Sequence, residues 1–185
     1  EDGASQMGLE DIALFRSVQN CVVLYPSDGV STMKLVELAA AHHGNVYIRT
    51  TRMDTPVIYT EKDEFKIGGS KLVKQSKNDA VTIVGAGVTL HEALKAYEEL
   101  KKTNVFIRVI DLYSIKPIDV ETLTKAAEET KAILVVEDHY PEGGMAEAIM
   151  SALSNHPTSV HSLAVRKPPR SGKPAELLDY ELISA

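Results

Sequence analysis

The stretch Ala80-Val81-Thr82-Ile83-Val84-Gly85-Ala86-Gly87-Val88-Thr89-Leu90-His91-Glu92-Ala93-Leu94 passes from a β-branched run through two glycines into a helical pattern. Residues 80–84 favour a strand, while Leu90, Ala93, Leu94 and Tyr97 recur on one face of a helix. Thr89 and Glu92 have the Thr-x-x-Glu spacing of a capping box, in which each satisfies a free backbone N–H at the helix start. If this strand–turn–helix order repeats, it builds βαβ units and a mainly parallel sheet.

It does repeat. Downstream, Val105–Ile110 reads as a strand, and Asp119 is placed to cap a helix carrying Val120, Leu123 and Ala127. Ile133–Val136 is the next strand, Gly143-Gly144 opens a helix with Met145, Ile149, Ala152 and Leu153, and Val160–Val165 is the last strand. Pro174 fits a first helical turn ahead of Ala175–Leu178. Upstream, Phe65–Gln75 predicts a strand broken by Gly68-Gly69, and Ser76–Asp79 a turn. Residues 51–64 lack periodicity and read as a connection, which puts a domain boundary at 60–66. Before it, Leu9, Ile12 and Ala13 have helical spacing, with Ser5 able to cap. The run Cys21–Tyr25 reads as a buried strand. Ser27-Asp28-Gly29 leads into a helix through Met33, Val36, Leu38 and Ala40 that stops near Gly44, and Val46–Ile48 is a strand.

Composition narrows the function classes. A net charge of −6 without a long basic run argues against nucleic acid or an anionic membrane as the main partner. No apolar stretch approaches the roughly 20 residues that span a bilayer. The single cysteine, Cys21, excludes an intrachain disulfide framework and fits a cytoplasmic setting. Inside an apolar run it reads as a buried, inert thiol.

Several motifs have a functional and a structural reading. Gly85-Ala86-Gly87 has the start of a dinucleotide fingerprint, but Leu90 stands where the third glycine is needed for close helix–strand packing. A tight turn is the better account. Ser171-Gly172-Lys173 lacks the flanking glycine of a phosphate loop and is followed by Pro174, so it too reads as a turn. Glu137-Asp138-His139 follows a strand, where α/β sheets present ligands, yet it has no metal-ligand spacing. Hydrogen bonds that fix the next loop, or a subunit contact, are the expectation. His42-His43 at a helix end reads as solvated.

Two other segments carry more. Glu1-Asp2-Gly3-Ala4-Ser5-Gln6-Met7 puts an acid and an amide on a turn that enters a helix. Ile48-Arg49-Thr50-Thr51-Arg52 ends a strand on two arginines, one of which is able to clamp a phosphate.

In this order and spacing, those two segments resemble transketolase of the animal type. The match continues through Tyr25-Pro26-Ser27-Asp28-Gly29, Val84–Leu94, Ile115-Lys116-Pro117, Val136-Glu137-Asp138-His139-Tyr140 and Pro169-Arg170-Ser171-Gly172-Lys173-Pro174, over nearly the whole chain. The later motifs are shared with β-subunits of thiamine-dependent dehydrogenases; the opening and the arginine segment point to transketolase.

The resemblance implies an α/β architecture in two parts. Residues 1–60 would be the end of a pyrimidine-binding domain, 61–65 a linker, and 66–185 a three-layer, mainly parallel C-terminal domain. It also implies thiamine diphosphate, with Mg²⁺ or Ca²⁺, and transfer of a two-carbon ketol unit between sugar phosphates of the pentose phosphate pathway by a homodimer. By similarity Asp2 would bond a substrate hydroxyl, Arg52 would hold the substrate phosphate, and Gln6 would lie near the thiamine. Microbial relatives tend to have histidine at the position of Gln6. The Gly-Asp-Gly segment that holds metal and diphosphate, the catalytic glutamate and the stacking aromatic are absent from the sequence, so no residue is assigned to catalysis or to metal. The chain alone is therefore expected to bind no cofactor and to be inactive. The alternatives are a non-catalytic dimerisation module and a dehydrogenase β-subunit.

Overall fold

The computed structural model describes residues 7–185. Strand β1 (Val22–Leu24) is buried along its length, as its uninterrupted apolar run requires. It pairs in parallel with β2 (Val46–Ile48), and helix α2 (Gly29–Ala41) makes the crossover. Asp28 caps α2: its carboxylate accepts from the Ser31 amide, and the Ser31 hydroxyl accepts in return from the Asp28 amide. Helix α1 (Asp11–Ser17) starts later than the early apolar spacing suggests; its N-cap is Glu10, without a side-chain cap. Ser5, expected to cap it, lies outside the described residues.

The larger sheet has the order β3-β5-β4-β7-β8. Its strands are β3 (Lys71–Lys74), β4 (Val81–Gly85), β5 (Ile107–Asp111), β7 (Ala132–Val136) and β8 (Ser159–Leu163). All neighbours are parallel except β3, which runs antiparallel to β5 at the edge. Helices α3 (Val88–Lys102), α4 (Val120–Glu129) and α5 (Met145–Ala152) alternate with these strands, and α6 (Pro174–Glu181) closes the order. The mainly parallel α/β class read from the sequence is therefore the observed one.

The layers follow from side-chain alternation. Ile83, Ile107, Val109 and Val136 face Leu90 and Ala93 of α3 and Ile183 just beyond α6. On the opposite side, Val84, Ile110, Ile133 and Val135 pack against Leu123 and Ala126 of α4 and Met145 and Ile149 of α5. Ile12, Val23 and Tyr25 from the first sixty residues enter that same core. Strand β1 turns its other side chains, Val22 and Leu24, toward Leu35 of α2 and Tyr113.

Further features depart from the reading of the sequence. A short strand, β6 (Ser114–Lys116), leaves the larger region and pairs antiparallel with β1, giving a second sheet of order β2-β1-β6. The Thr89–Glu92 capping box does not form. The N-cap of α3 is Gly87, the Thr89 hydroxyl turns back to the Ala86 carbonyl, and the Glu92 carboxylate is taken by Lys95 and the Ala185 amide. Gly87 can cap there because its φ of +55° is open to glycine, and a Cβ would sit 2.1 Å from the Tyr25 ring. The second glycine is thus a close-packing residue of the turn. Met33 and Val36, read as part of the apolar face of α2, are 45% and 48% exposed; Ser31 and Leu35 are its buried positions.

Candidate functional site

A cleft of about 460 Å³ opens where the C-terminal ends of β1 and β2 meet the loop after β7 and the C-terminal segment. Its walls come from residues 7–11, 48–53 and 165–183, and both Arg49 and Arg52 line it. Parallel strands release their chains at this end, so polar residues just past them converge by topology.

Arg49 is the hub of that end. Its amide extends the β1 ladder by donating to the Leu24 carbonyl at 2.9 Å. Its guanidinium donates to Asp138 Oδ1 at 3.0 Å, to the Asp138 carbonyl at 2.9 Å and to the Gly8 carbonyl at 3.0 Å. Its Nε lies 3.2 Å from Asp11 Oδ2, and the group sits 4.8 Å above the Tyr25 ring. Tyr25 in turn donates to Asp138 Oδ2 at 2.9 Å, and Tyr47 to Asp11 Oδ2 at 2.5 Å. Burial works against the charge of Arg49, but Asp138, then Tyr25 and Asp11, hold its pKa above the usual guanidinium range. Burial, then Asp138, pushes the Tyr25 phenol up, so it stays a neutral donor.

Arg49 is therefore committed to protein partners. Arg52 stands on the cleft wall beside Met53, three residues past that anchor. Asp2 and Gln6, the other residues expected in the site, lie outside the described residues. Asp138 and Arg49 were both legible as candidates; their pairing across 89 positions was not.

The Glu137-Asp138-His139 motif fixes its loop, as expected. Glu137 accepts from the amides of Met145 at 2.6 Å and Ala146 at 3.3 Å, which neutralises the start of α5. Burial, only partly offset by those bonds, raises its pKa to about 7. The His139 ring is fully buried, with Nε2 accepting from the Ala13 amide and Nδ1 against the Tyr140 carbonyl. Cys21 is buried as read, its thiol directed to the Val22 carbonyl.

A second buried carboxyl, Asp111, accepts from Tyr59 at 2.7 Å and from Ser27 at 3.0 Å, and burial raises its pKa to about 7. With Asp28, which accepts from the Ile58 and Tyr59 amides, it clamps the connection after residue 56 against both sheets.

Thiamine diphosphate and its metal require carboxylates and amides arranged around a diphosphate. Among the described residues there is no group of three or more His, Cys, Asp or Glu able to hold a metal ion. Asp11 and Asp138 are engaged by Arg49 and Glu137 by α5, so the described residues do not fit the diphosphate–metal end of that cofactor. The cleft instead places Arg52 and Arg170 on its lining beside apolar Leu177 and Leu178.

Comparison with known proteins identifies the family. The family model described as "Transketolase, C-terminal domain" matches residues 70–185, and "Transketolase, pyrimidine binding domain" matches residues 1–57. The chain is 57% identical to mouse "Transketolase-like protein 2" over 187 residues, covering 100% of this chain and 30% of that protein. It is 55% identical to human "Transketolase" over 180 residues, covering 96% of this chain and 29% of that protein. It therefore spans about 30% of the length of the curated relatives it matches. A solved structure, "Split gene transketolase, inactive beta4 tetramer", superposes with a TM-score of 0.89 at 33% identity, over 97% of this chain and 58% of the other. Taken with the two matched domain models, these likenesses place the chain in the transketolase family.

Proposed function

We propose that this chain forms the substrate-phosphate side of a transketolase site, in a protein that transfers a two-carbon ketol unit from a ketose phosphate to an aldose phosphate. The observation that carries the reading is Arg52 on the wall of the cleft at the strand ends, three residues past Arg49, which Asp138 and Asp11 hold in place. A phosphate entering there meets a cation on a backbone segment that Arg49 has fixed, which lowers the ordering cost of binding. Asp2 bonds a donor hydroxyl and Gln6 approaches the thiamine. The two parts meet at 61–65, with 1–60 belonging to the pyrimidine-binding domain and 66–185 to the C-terminal domain. Thiamine diphosphate, with Mg²⁺ or Ca²⁺, supplies the carbanion chemistry and is held by residues other than those described. The working assembly is a cytoplasmic homodimer serving the pentose phosphate pathway.

The test uses a full-length transketolase polypeptide that contains these 185 residues. With glycolaldehyde as acceptor, Arg52→Ala is expected to lower kcat/KM for a phosphorylated ketose by about 10- to 150-fold, the worth of one charge-assisted contact. An unphosphorylated ketose should change by less than about 3-fold. Equal losses on the two donors would remove Arg52 from the phosphate site.

A further inference from the structure

We propose that Asp138, a residue of the C-terminal region, is a positioning residue for the substrate phosphate: through Arg49 it sets the place of Arg52. The inference rests on the phosphate reading of Arg52 given above. It assigns to the loop after β7 a part in substrate recognition, although that loop belongs to a different sheet from the arginine segment.

The geometry points this way in three steps. The segment 49–53 leaves the β1 ladder at Arg49, whose amide makes the last ladder bond to Leu24. Past that point, the backbone that carries Arg52 depends on how Arg49 itself is held. Arg49 is held chiefly by Asp138, through a side-chain bond at 3.0 Å and a carbonyl bond at 2.9 Å from two different nitrogens. This two-point grip fixes the plane of the guanidinium as well as its position.

Asp138 is itself held. Tyr25, buried at the end of β1, donates to its second oxygen, so both carboxylate oxygens are used. Its neighbours Glu137 and His139 lock the loop on either side, Glu137 to the start of α5 and His139 to Ala13. The loop is thus rigid where Asp138 needs it to be. A carboxylate serving only to neutralise a buried arginine has no need of a phenol on its far oxygen. Here the phenol and the guanidinium both come from the ends of the three-stranded sheet, and the carboxylate of the loop after β7 bridges them at the arginine segment.

A positioning residue that acts through Arg52 has a signature that a merely stabilising one lacks. Its effect should fall on phosphorylated substrates, and it should vanish once Arg52 is gone. In the same full-length polypeptide, with glycolaldehyde as acceptor, Asp138→Asn is expected to raise KM for a phosphorylated ketose about 10-fold, with kcat changed less than about 2-fold. KM for an unphosphorylated ketose should change less than about 2-fold. Tyr25→Phe, which keeps the ring and deletes the hydroxyl's bond to Asp138 along with its contact to the Val88 amide, should do the same on a smaller scale, about 3-fold. It serves as the second probe should Asp138→Asn fold poorly.

The deciding comparison is the double variant Arg52→Ala/Asp138→Asn. Its kcat/KM on the phosphorylated ketose should equal that of Arg52→Ala alone. If Arg52→Ala is phosphate-selective but the Asp138 effect persists in its background, or falls equally on both donors, Asp138 does not act through Arg52 and the inference is overturned. If Arg52→Ala itself is not selective, the phosphate reading fails first and takes this inference with it.

Discussion

The two sheets of the molecule differ in what they need from each other. The five-stranded sheet is covered on both sides by helices that follow from its own chain, with Leu90 of α3 and Ile149 of α5 both fully buried. The three-stranded sheet has strands of only three residues, takes one of them from the later region, and, with Ile12 of α1, sends Val23 and Tyr25 into the other sheet's core. Its own side retains a small cluster around Val22, Leu24, Leu35 and Tyr113. Large apolar side chains on α1 and α2, Leu14, Phe15, Met33 and Val36, stay exposed. The first region is therefore stabilised at the seam more than by its own core, and the cleft lies on that seam. Residues that hold the two sheets together are the same ones that shape the candidate site.

The largest expected effect separates the two cores. Leu90 and Leu35 are both fully buried, but Leu90 sits in the nine-residue cluster against the large sheet and Leu35 in the four-residue one. Leu90→Ala should leave a cavity that rigid neighbours cannot fill and cost about 4 kcal/mol in urea unfolding. Leu35→Ala, whose neighbours Leu38, Val46 and Ile48 are only half-buried and can relax, should cost about 2 kcal/mol. Equal losses would mean that the small core is as closely braced as the large one.

A smaller effect reads the seam itself through pH. The folded pKa values of Asp111 and Glu137 are both raised to about 7, burial being the largest cause for each. A carboxyl whose pKa is raised on folding binds more protons folded than unfolded between its unfolded value, about 4, and 7. Stability from these two groups is therefore greatest at acid pH and falls as pH rises from about 4 to 7, then levels. Asp28 works in the opposite sense: burial is outweighed by amides from Ser31, Tyr59 and Ile58, its pKa is lowered, and its contribution is lost on acidification below about 4. The thermal midpoint, measured from pH 4 to 8, should decline toward pH 7 in the parent chain and decline less in Asp111→Asn. An identical slope in the two would show that Asp111 does not titrate in this window.

Much of this architecture was legible because its signals are local. The strand at 81–85, the cap at Asp119, the glycine pair before α5 and Pro174 at the start of α6 each depend on neighbours within a few residues. What escaped depends on remote partners. Ser114-Ile115-Lys116 is too short to announce a strand and becomes one only by pairing with Val23 and Leu24. The spacing of Thr89 and Glu92 satisfied a capping rule, yet the positive φ of Gly87 beside Tyr25 decided the cap. At the site, the sequence marked two arginines at a strand end, and only the fold shows that Asp138 pairs with Arg49.

The central claim is that this chain holds the sugar-phosphate side of the site and that the cofactor's diphosphate–metal end is held elsewhere. Calorimetric titration of the 185-residue chain with thiamine diphosphate and Mg²⁺, paired with a coupled ketol-transfer assay on the same sample, tests it most directly. The account predicts no binding heat at micromolar cofactor and no turnover, because one or two pyrimidine-side contacts do not offset the cost of ordering a flexible cofactor. Turnover above a buffer blank, from material whose mass excludes any longer polypeptide, would contradict it.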